Sequence, residues 1–228
     1  MPEILLLHGA LGSDRQLEPL KVILSKYFNV HTLCFEGHGS RTTDEPLRIE
    51  LFSKNLLNYL KESGSEKPLV FGYSMGGYVA LYTEAQNPGT FGKIVTLGSK
   101  FHWSPESSRR EVKMLQPEVI EEKVPKFATH LNRMHEPNAW KENMRATAEM
   151  MISMGQNPPL NHVDLSLVEC SVILTLGGKD AMVSQEETIT VKNQLSNASF
   201  HLFEEFEHPF DKIDLGVLAA FLNKELEG

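Results

Sequence analysis

The chain has 228 residues, of which 41% are hydrophobic, and its formal net charge at pH 7 is -8. This length suits one α/β domain with a modest insertion, and the acidic balance argues against a nucleic-acid partner, because a polyanion needs a basic face. The first residues carry no basic region followed by a long apolar stretch, so we expect no membrane insertion and a cytoplasmic location.

Short apolar runs alternate with helical segments along most of the chain. In chain order, strands are predicted over residues 3–7, 29–35, 68–73, 93–97, 171–176 and 199–203, and helices over residues 16–27, 49–62, 75–86, 184–195 and 215–226. Several of the strands lack polar alternation, as is typical of a sheet that is covered on both faces. The alternation predicts parallel βαβ units and therefore a doubly wound, mostly parallel sheet.

The alternation stops between residues 101 and 165, where no strand-like run occurs. Helices are predicted there over residues 105–115, 117–135 and 137–154, each beginning at a proline, which suits the first turn of a helix. We interpret residues 101–165 as a helical cap. The α/β core would then comprise residues 1–100 and 166–228.

A serine lies between two glycines where the third predicted strand meets the third predicted helix. The sequence there is Gly72-Tyr73-Ser74-Met75-Gly76. A sharp strand-to-helix turn would expose the serine hydroxyl and aim the helix N-terminus at it. The pattern therefore proposes Ser74 as a nucleophile.

A serine nucleophile needs a base, and the base needs a group to orient it. Asp180 follows the fifth predicted strand, and His208 follows the sixth. The carboxyl ends of parallel strands share one edge of a sheet, so we expect Ser74, Asp180 and His208 to converge although they are far apart in the chain.

The order serine, acid, histidine resembles that of the α/β-hydrolase family, and the resemblance covers nearly the whole chain. Its motifs are the loop at residues 7–13 (Leu-His-Gly-Ala-Leu-Gly-Ser), the Gly-His-Gly turn at residues 37–39, the elbow at Ser74, the turn at Asp180 and the terminal His208. The resemblance implies a catalytic triad, an oxyanion hole formed by the backbone amides of Ala10 and Met75, and no cofactor. It also implies a sheet of the α/β-hydrolase type, shortened at its N-terminal edge, with a helical cap insertion.

The resulting hypothesis is a serine hydrolase that cleaves a small or acyl-chain carboxylic ester or thioester through an acyl-enzyme. The residues expected to contact the substrate are Leu11, Tyr78, Phe101, Trp103, Met150 and Met154. His8 and His38 are expected to form structural hydrogen bonds. No metal site is predicted, because neither His-Glu-x-x-His nor paired cysteines occur. The oligomeric state is not predicted.

Two alternatives stay open at this point. The elbow also resembles that of the menaquinone-pathway synthase, a lyase with an arginine directly after the two elbow glycines, where this chain has Tyr78. A lyase or C–C bond-cleaving enzyme would need a cation for an anionic substrate, and Arg133 and Arg145 are the first candidates. The second alternative is a ligand-binding receptor that keeps a hydrolase body.

Overall fold

Six parallel strands form one sheet in the computed structural model, which describes residues 1–226. The strands are β1 (Glu3–Leu7), β2 (Asn29–Leu33), β3 (Leu69–Tyr73), β4 (Lys93–Leu97), β5 (Ser171–Gly177) and β6 (Ala198–Phe203). Their order is β2-β1-β3-β4-β5-β6, and every described pairing is parallel. The order reverses direction between β1 and β3, so the predicted doubly wound sheet is confirmed.

Helices cover both faces of this sheet. One face packs against α1 (Asp14–Leu24) and α9 (Leu215–Leu226), and the other against α2 (Ile49–Ser63), α3 (Met75–Gln86) and α8 (Gln185–Lys192). Leu5 contributes to one apolar cluster and Leu6 to the other, and both side chains are buried. Successive side chains of a strand point to opposite faces, so a two-sided core explains why β1 is entirely apolar after Glu3.

Helices also fill the segment between β4 and β5. They are α4 (Pro105–Val112), α5 (Pro117–Lys123), α6 (Pro125–His135) and α7 (Trp140–Gln156), followed by 3₁₀ turns at Pro159–His162 and Leu165–Leu167. Residues of α5, α6 and α7 form an apolar cluster of their own around Leu131, Trp140 and Met144. A helical cap is expected to have an apolar cluster of this kind. The division of the chain into core and cap domains stays a prediction.

The prediction of a single helix over residues 117–135 is wrong, because the helix is interrupted at Val124. Val124 has φ -134° and ψ 57°, outside the helical region, and Pro125 begins the next helix. Proline restricts the residue before it and lacks the amide hydrogen that would continue the first helix. The other predicted helix and strand ends differ from the observed ones by at most three residues. Within residues 1–226, none of the helices has the length and apolar character needed to cross a membrane.

Candidate active site

Ser74 occupies a strained turn between β3 and α3. Its φ of 50° and ψ of -115° lie in a region that residues other than glycine rarely adopt. The glycines two residues before and after it have no space for a side chain. A Cβ atom at Gly72 would lie 2.5 Å from the backbone nitrogen of Gly77, and one at Gly76 would overlap the carbonyl oxygen of Leu7. The two glycines allow the close strand-helix contact that holds Ser74 at the end of the sheet.

The structure brings the three residues of the predicted triad together. The Oγ atom of Ser74 lies 3.3 Å from Nε2 of His208, and Nδ1 of His208 lies 2.7 Å from Oδ2 of Asp180. A histidine that donates its Nδ1 proton to a carboxylate has a free lone pair on Nε2. This arrangement can accept the serine proton, and the 3.3 Å distance is within the looser range found before substrate binds.

The loops after β5 and β6 hold the acid and the histidine in place. The Asp180 side chain is 1% exposed, and its Oδ1 accepts hydrogen bonds from the backbone amides of Met182 at 2.8 Å and Val183 at 2.9 Å. The hydroxyl of Tyr73 donates to the carbonyl oxygen of His208 at 2.7 Å. Burial raises the pKa of Tyr73, which keeps this phenol a neutral donor. Asp180 and His208 are therefore each held in position by hydrogen bonds that do not involve Ser74.

Two backbone amides beside Ser74 have no hydrogen-bond acceptor within residues 1–226. They belong to Ala10, in the loop after β1, and to Met75, the first residue of α3. Ala10 and Met75 line the same cavity as Ser74 and His208. Free amides at a helix N-terminus and in an adjacent loop attract negative charge, so this arrangement can stabilise an oxyanion.

The cavity beside Ser74 is narrow, with a volume of about 40 Å³. Four of the predicted contact residues line it: Tyr78, Trp103, Met150 and Met154. Five further residues also line it: Ile49, Lys100, Glu111, Met151 and Met182. The cavity wall thus combines an apolar lining rich in methionine with one lysine and one glutamate.

Two predicted contact residues lie elsewhere. Leu11, which has a φ of 59°, packs instead against the apolar cluster of α5, α6 and α7. Phe101 stacks on Tyr78 with 6.2 Å between ring centroids and lines a different cavity of about 360 Å³, beside α8. Neither side chain borders the cavity at Ser74.

The arginines considered for the lyase alternative also lie outside this cavity. Arg133 and Arg145 are exposed, and Arg145 forms ion pairs with Glu118 and Glu142. Tyr78 replaces the arginine of the lyase motif, and its hydroxyl accepts a hydrogen bond from the Leu160 amide at 3.0 Å.

The cation that does line the cavity is Lys100. The signal that could have found it is its place three residues after β4, at the edge of the sheet where the triad assembles.

His8, His38 and His135 form a buried cluster next to this site. Nε2 of His8 accepts a hydrogen bond from the Phe35 amide at 3.1 Å, and Nδ1 of His135 accepts one from the Gly39 amide at 3.2 Å. Burial lowers the pKa of His8 to about 4 and also lowers the pKa values of His38 and His135. His8 and His38 therefore have the neutral, structural environment that was expected for them.

The His8 environment predicts that the protein loses stability in acid. The unfolded state binds the proton from about pH 6.5 downward, whereas the folded state resists it until about pH 4. The free energy of unfolding should thus fall by about 3 kcal/mol between pH 7 and pH 4 through His8 alone. Urea titrations of the wild type and of His8→Gln at several pH values would measure this effect. His102→Gln is the control, because His102 is exposed, and its free energy of unfolding should fall with pH as in the wild type. An equally steep fall in the free energy of unfolding of His8→Gln would contradict the prediction.

Cys34 and Cys170 are free, and burial raises the pKa of both thiols to about 12, so they stay protonated. No group of three His, Cys, Asp or Glu side chains within residues 1–226 is arranged to hold a metal ion.

Comparisons with known proteins bear on the family and the fold of the chain. A family model described as the alpha/beta hydrolase family matches residues 4–209. A pimeloyl-[acyl-carrier protein] methyl ester esterase from Vibrio campbellii is 23% identical over 193 residues, which are 80% of this chain and 71% of that protein. Among solved structures, an esterase from Thermogutta terrifontis has a TM-score of 0.79 at 18% identity, covering 100% of this chain and 90% of that one. An enol-lactonase from Burkholderia xenovorans has a TM-score of 0.79 at 15% identity, covering 100% and 92%.

Proposed function

The chain belongs to the alpha/beta hydrolase family, and on this basis we propose that it is a serine hydrolase that cleaves a carboxylic ester or thioester through an acyl-enzyme on Ser74. The observation that carries the proposal is the chain of contacts from Ser74 Oγ to His208 Nε2 at 3.3 Å and from His208 Nδ1 to Asp180 Oδ2 at 2.7 Å. These contacts suit proton removal from the serine hydroxyl by a correctly oriented imidazole.

The proposed reaction proceeds in two halves. His208 Nε2 accepts the Ser74 proton as Oγ attacks the acyl carbon, and the amides of Ala10 and Met75 donate to the oxyanion. The imidazolium then protonates the leaving alcohol or thiol, and the acyl group stays on Ser74. In the second half, His208 removes a proton from water, which attacks the acyl-enzyme, and returns the proton to Ser74 Oγ as the acid leaves.

Asp180 has a supporting role in both halves. Its carboxylate fixes the Nδ1 proton of His208 and stabilises the positive charge that develops on the ring. The amides of Met182 and Val183 hold the carboxylate from behind, and its side chain is 1% exposed. Exclusion of water strengthens the attraction between the carboxylate and the imidazolium.

The substrate is proposed to be a small ester or thioester with a short acyl group. The cavity beside Ser74 has a volume of about 40 Å³, far below the several hundred Å³ of a site for a large ligand. Its methionines offer an adaptable apolar surface. A distant relative named as a methyl ester esterase supports ester chemistry over the lyase alternative.

A series of p-nitrophenyl esters tests this proposal. We expect kcat/KM for the acetate and the butyrate to exceed that for the decanoate at least tenfold, because a cavity of about 40 Å³ cannot enclose the longer chain without displacing its walls. Initial rates at matched substrate concentrations would measure the series. Failure to hydrolyse any of these esters, together with failure of a fluorophosphonate probe to label Ser74, would overturn the serine hydrolase proposal. A preference for the decanoate would overturn the short-acyl part alone.

A further inference from the structure

A buried ion pair lies in the wall of the cavity at Ser74, and the proposed reaction does not use it. The side chain of Lys100 is 8% exposed and that of Glu111, on α4, is 12% exposed, with 3.5 Å between Nζ and Oε1. Both residues line the cavity together with Ser74 and His208. A buried charge pair is a weak source of stability, so its position in a reaction cavity calls for a different explanation.

The Lys100 ammonium has three N–H donors, and the structure accounts for two of them. One faces the Glu111 carboxylate, and another donates to the carbonyl oxygen of Met182 at 3.2 Å. The ammonium also lies 5.9 Å from the centre of the Trp103 ring, which accepts no conventional hydrogen bond. Lys100 has no third acceptor within residues 1–226. Lys100 borders a cavity whose other lining is mostly apolar, and an unmade hydrogen bond in such surroundings is unfavourable.

The charge of Glu111 limits which acceptor can occupy this position. Arg110 also lies 3.6 Å from the Glu111 carboxylate, but its side chain is 70% exposed and does not line the cavity, so water and salt screen its charge. Of the two charged residues that line the cavity, Lys100 would attract a substrate carboxylate and Glu111 would repel it. A ketone, ether or second ester oxygen would accept the hydrogen bond without this repulsion.

We propose that Lys100 donates a hydrogen bond to an uncharged oxygen acceptor on the substrate of the proposed ester hydrolysis, and that Glu111 selects against a carboxylate at the same position. The substrate class is then a short ester that carries a second, uncharged oxygen function. Lys100 and Glu111 are specificity-determining residues in this account, whereas Ser74, His208 and Asp180 carry the chemistry.

Three methyl esters of nearly equal shape test the proposal. Methyl 4-oxopentanoate offers a ketone, methyl 4-methylpent-4-enoate replaces the ketone oxygen with a methylene, and monomethyl succinate offers a carboxylate. Values of kcat/KM, each divided by the rate of alkaline hydrolysis of the same ester, would be measured for the wild type, Lys100→Met and Glu111→Gln. Lys141→Met is the matched control, since Lys141 also pairs with a glutamate and lies 5.7 Å from a tryptophan ring but does not line the cavity.

The expected results are changes in ratios. The wild type should prefer the ketone ester to the alkene ester about tenfold, and Lys100→Met should remove that preference, as expected for a hydrogen bond from a charged donor. Glu111→Gln should raise the ratio of kcat/KM for the carboxylate ester to kcat/KM for the ketone ester about tenfold. Lys141→Met should leave both ratios as in the wild type. Ratios are used because loss of the Lys100 contact to Met182 would lower the rates for all three esters together.

Equal losses for all three esters in Lys100→Met would overturn the specificity role and leave a structural one. Hydrolysis of none of the three by a wild type that a fluorophosphonate still labels at Ser74 would also overturn it. Absence of the label would instead reject the proposed serine hydrolase, so the two failures are distinguishable.

Discussion

Replacing Ser74 with alanine is expected to lower kcat for p-nitrophenyl acetate by about a million-fold, the size of effect found when a triad nucleophile is removed. The reason is that Ser74 Oγ is the atom within 3.3 Å of His208 Nε2, and alanine offers no oxygen there. The oxyanion-binding amides remain, so a small residual rate above that in water should persist. Steady-state rates at known enzyme concentration would measure the loss.

The control for Ser74→Ala is Ser199→Ala, because Ser199 is an exposed serine on β6 of the same sheet. We expect wild-type kcat for this variant. Ser74→Ala should retain cooperative unfolding, since alanine only shortens the side chain. A folded Ser74→Ala protein with kcat within tenfold of the wild type would contradict the assigned nucleophile.

Replacing Asp180 with asparagine is expected to lower kcat by about ten thousand-fold. Asparagine would keep the shape of the side chain, and its carbonyl oxygen could still accept from the amides of Met182 and Val183. Its NH₂ group would then face Nδ1 of His208, at the position where Oδ2 of Asp180 now lies 2.7 Å away. The ring would respond by carrying its proton on Nε2, and it could no longer accept the proton of Ser74.

Asp211→Asn is the matched control for Asp180→Asn, since Asp211 is an exposed aspartate three residues after His208. Its kcat should stay close to that of the wild type. Thermal unfolding of both variants would separate a loss of chemistry from a loss of folded protein. A decrease of less than tenfold in well-folded Asp180→Asn would mean that Asp180 does not orient the base.

The strands and the meeting of the three triad residues were predictable because they depend on local pattern and on sheet geometry. Continuous apolar runs such as β1 are typical of strands covered on both faces, and parallel strands deliver the loops at Ser74, Asp180 and His208 to one edge. The sharp turn at Ser74 followed from two glycines that leave space for a close strand-helix contact. The catalytic roles of these residues stay predictions.

The cavity wall was less predictable because it depends on how the helices between β4 and β5 pack. Spacing places Met150 and Met154 on one face of α7, but it does not say that Phe101 lines the cavity beside α8 or that Leu11 packs against the cluster of α5, α6 and α7. The position of Glu111 beside Lys100 depends on the orientation of α4 against the sheet edge. Such tertiary contacts are set by the docking of whole helices, which the spacing of residues within one helix does not determine.

The most direct test of the central claim is to identify the residue that carries the acyl group during turnover. The wild type would be mixed with p-nitrophenyl acetate, quenched in acid within the first turnovers and digested, and the peptides would be analysed by tandem mass spectrometry. We predict a mass increase of one acetyl group on Ser74, with no such increase in Ser74→Ala. An acetyl group on a residue other than Ser74 during turnover would contradict the account. So would turnover without any acetyl-enzyme in the wild type, under conditions where deacylation is slow.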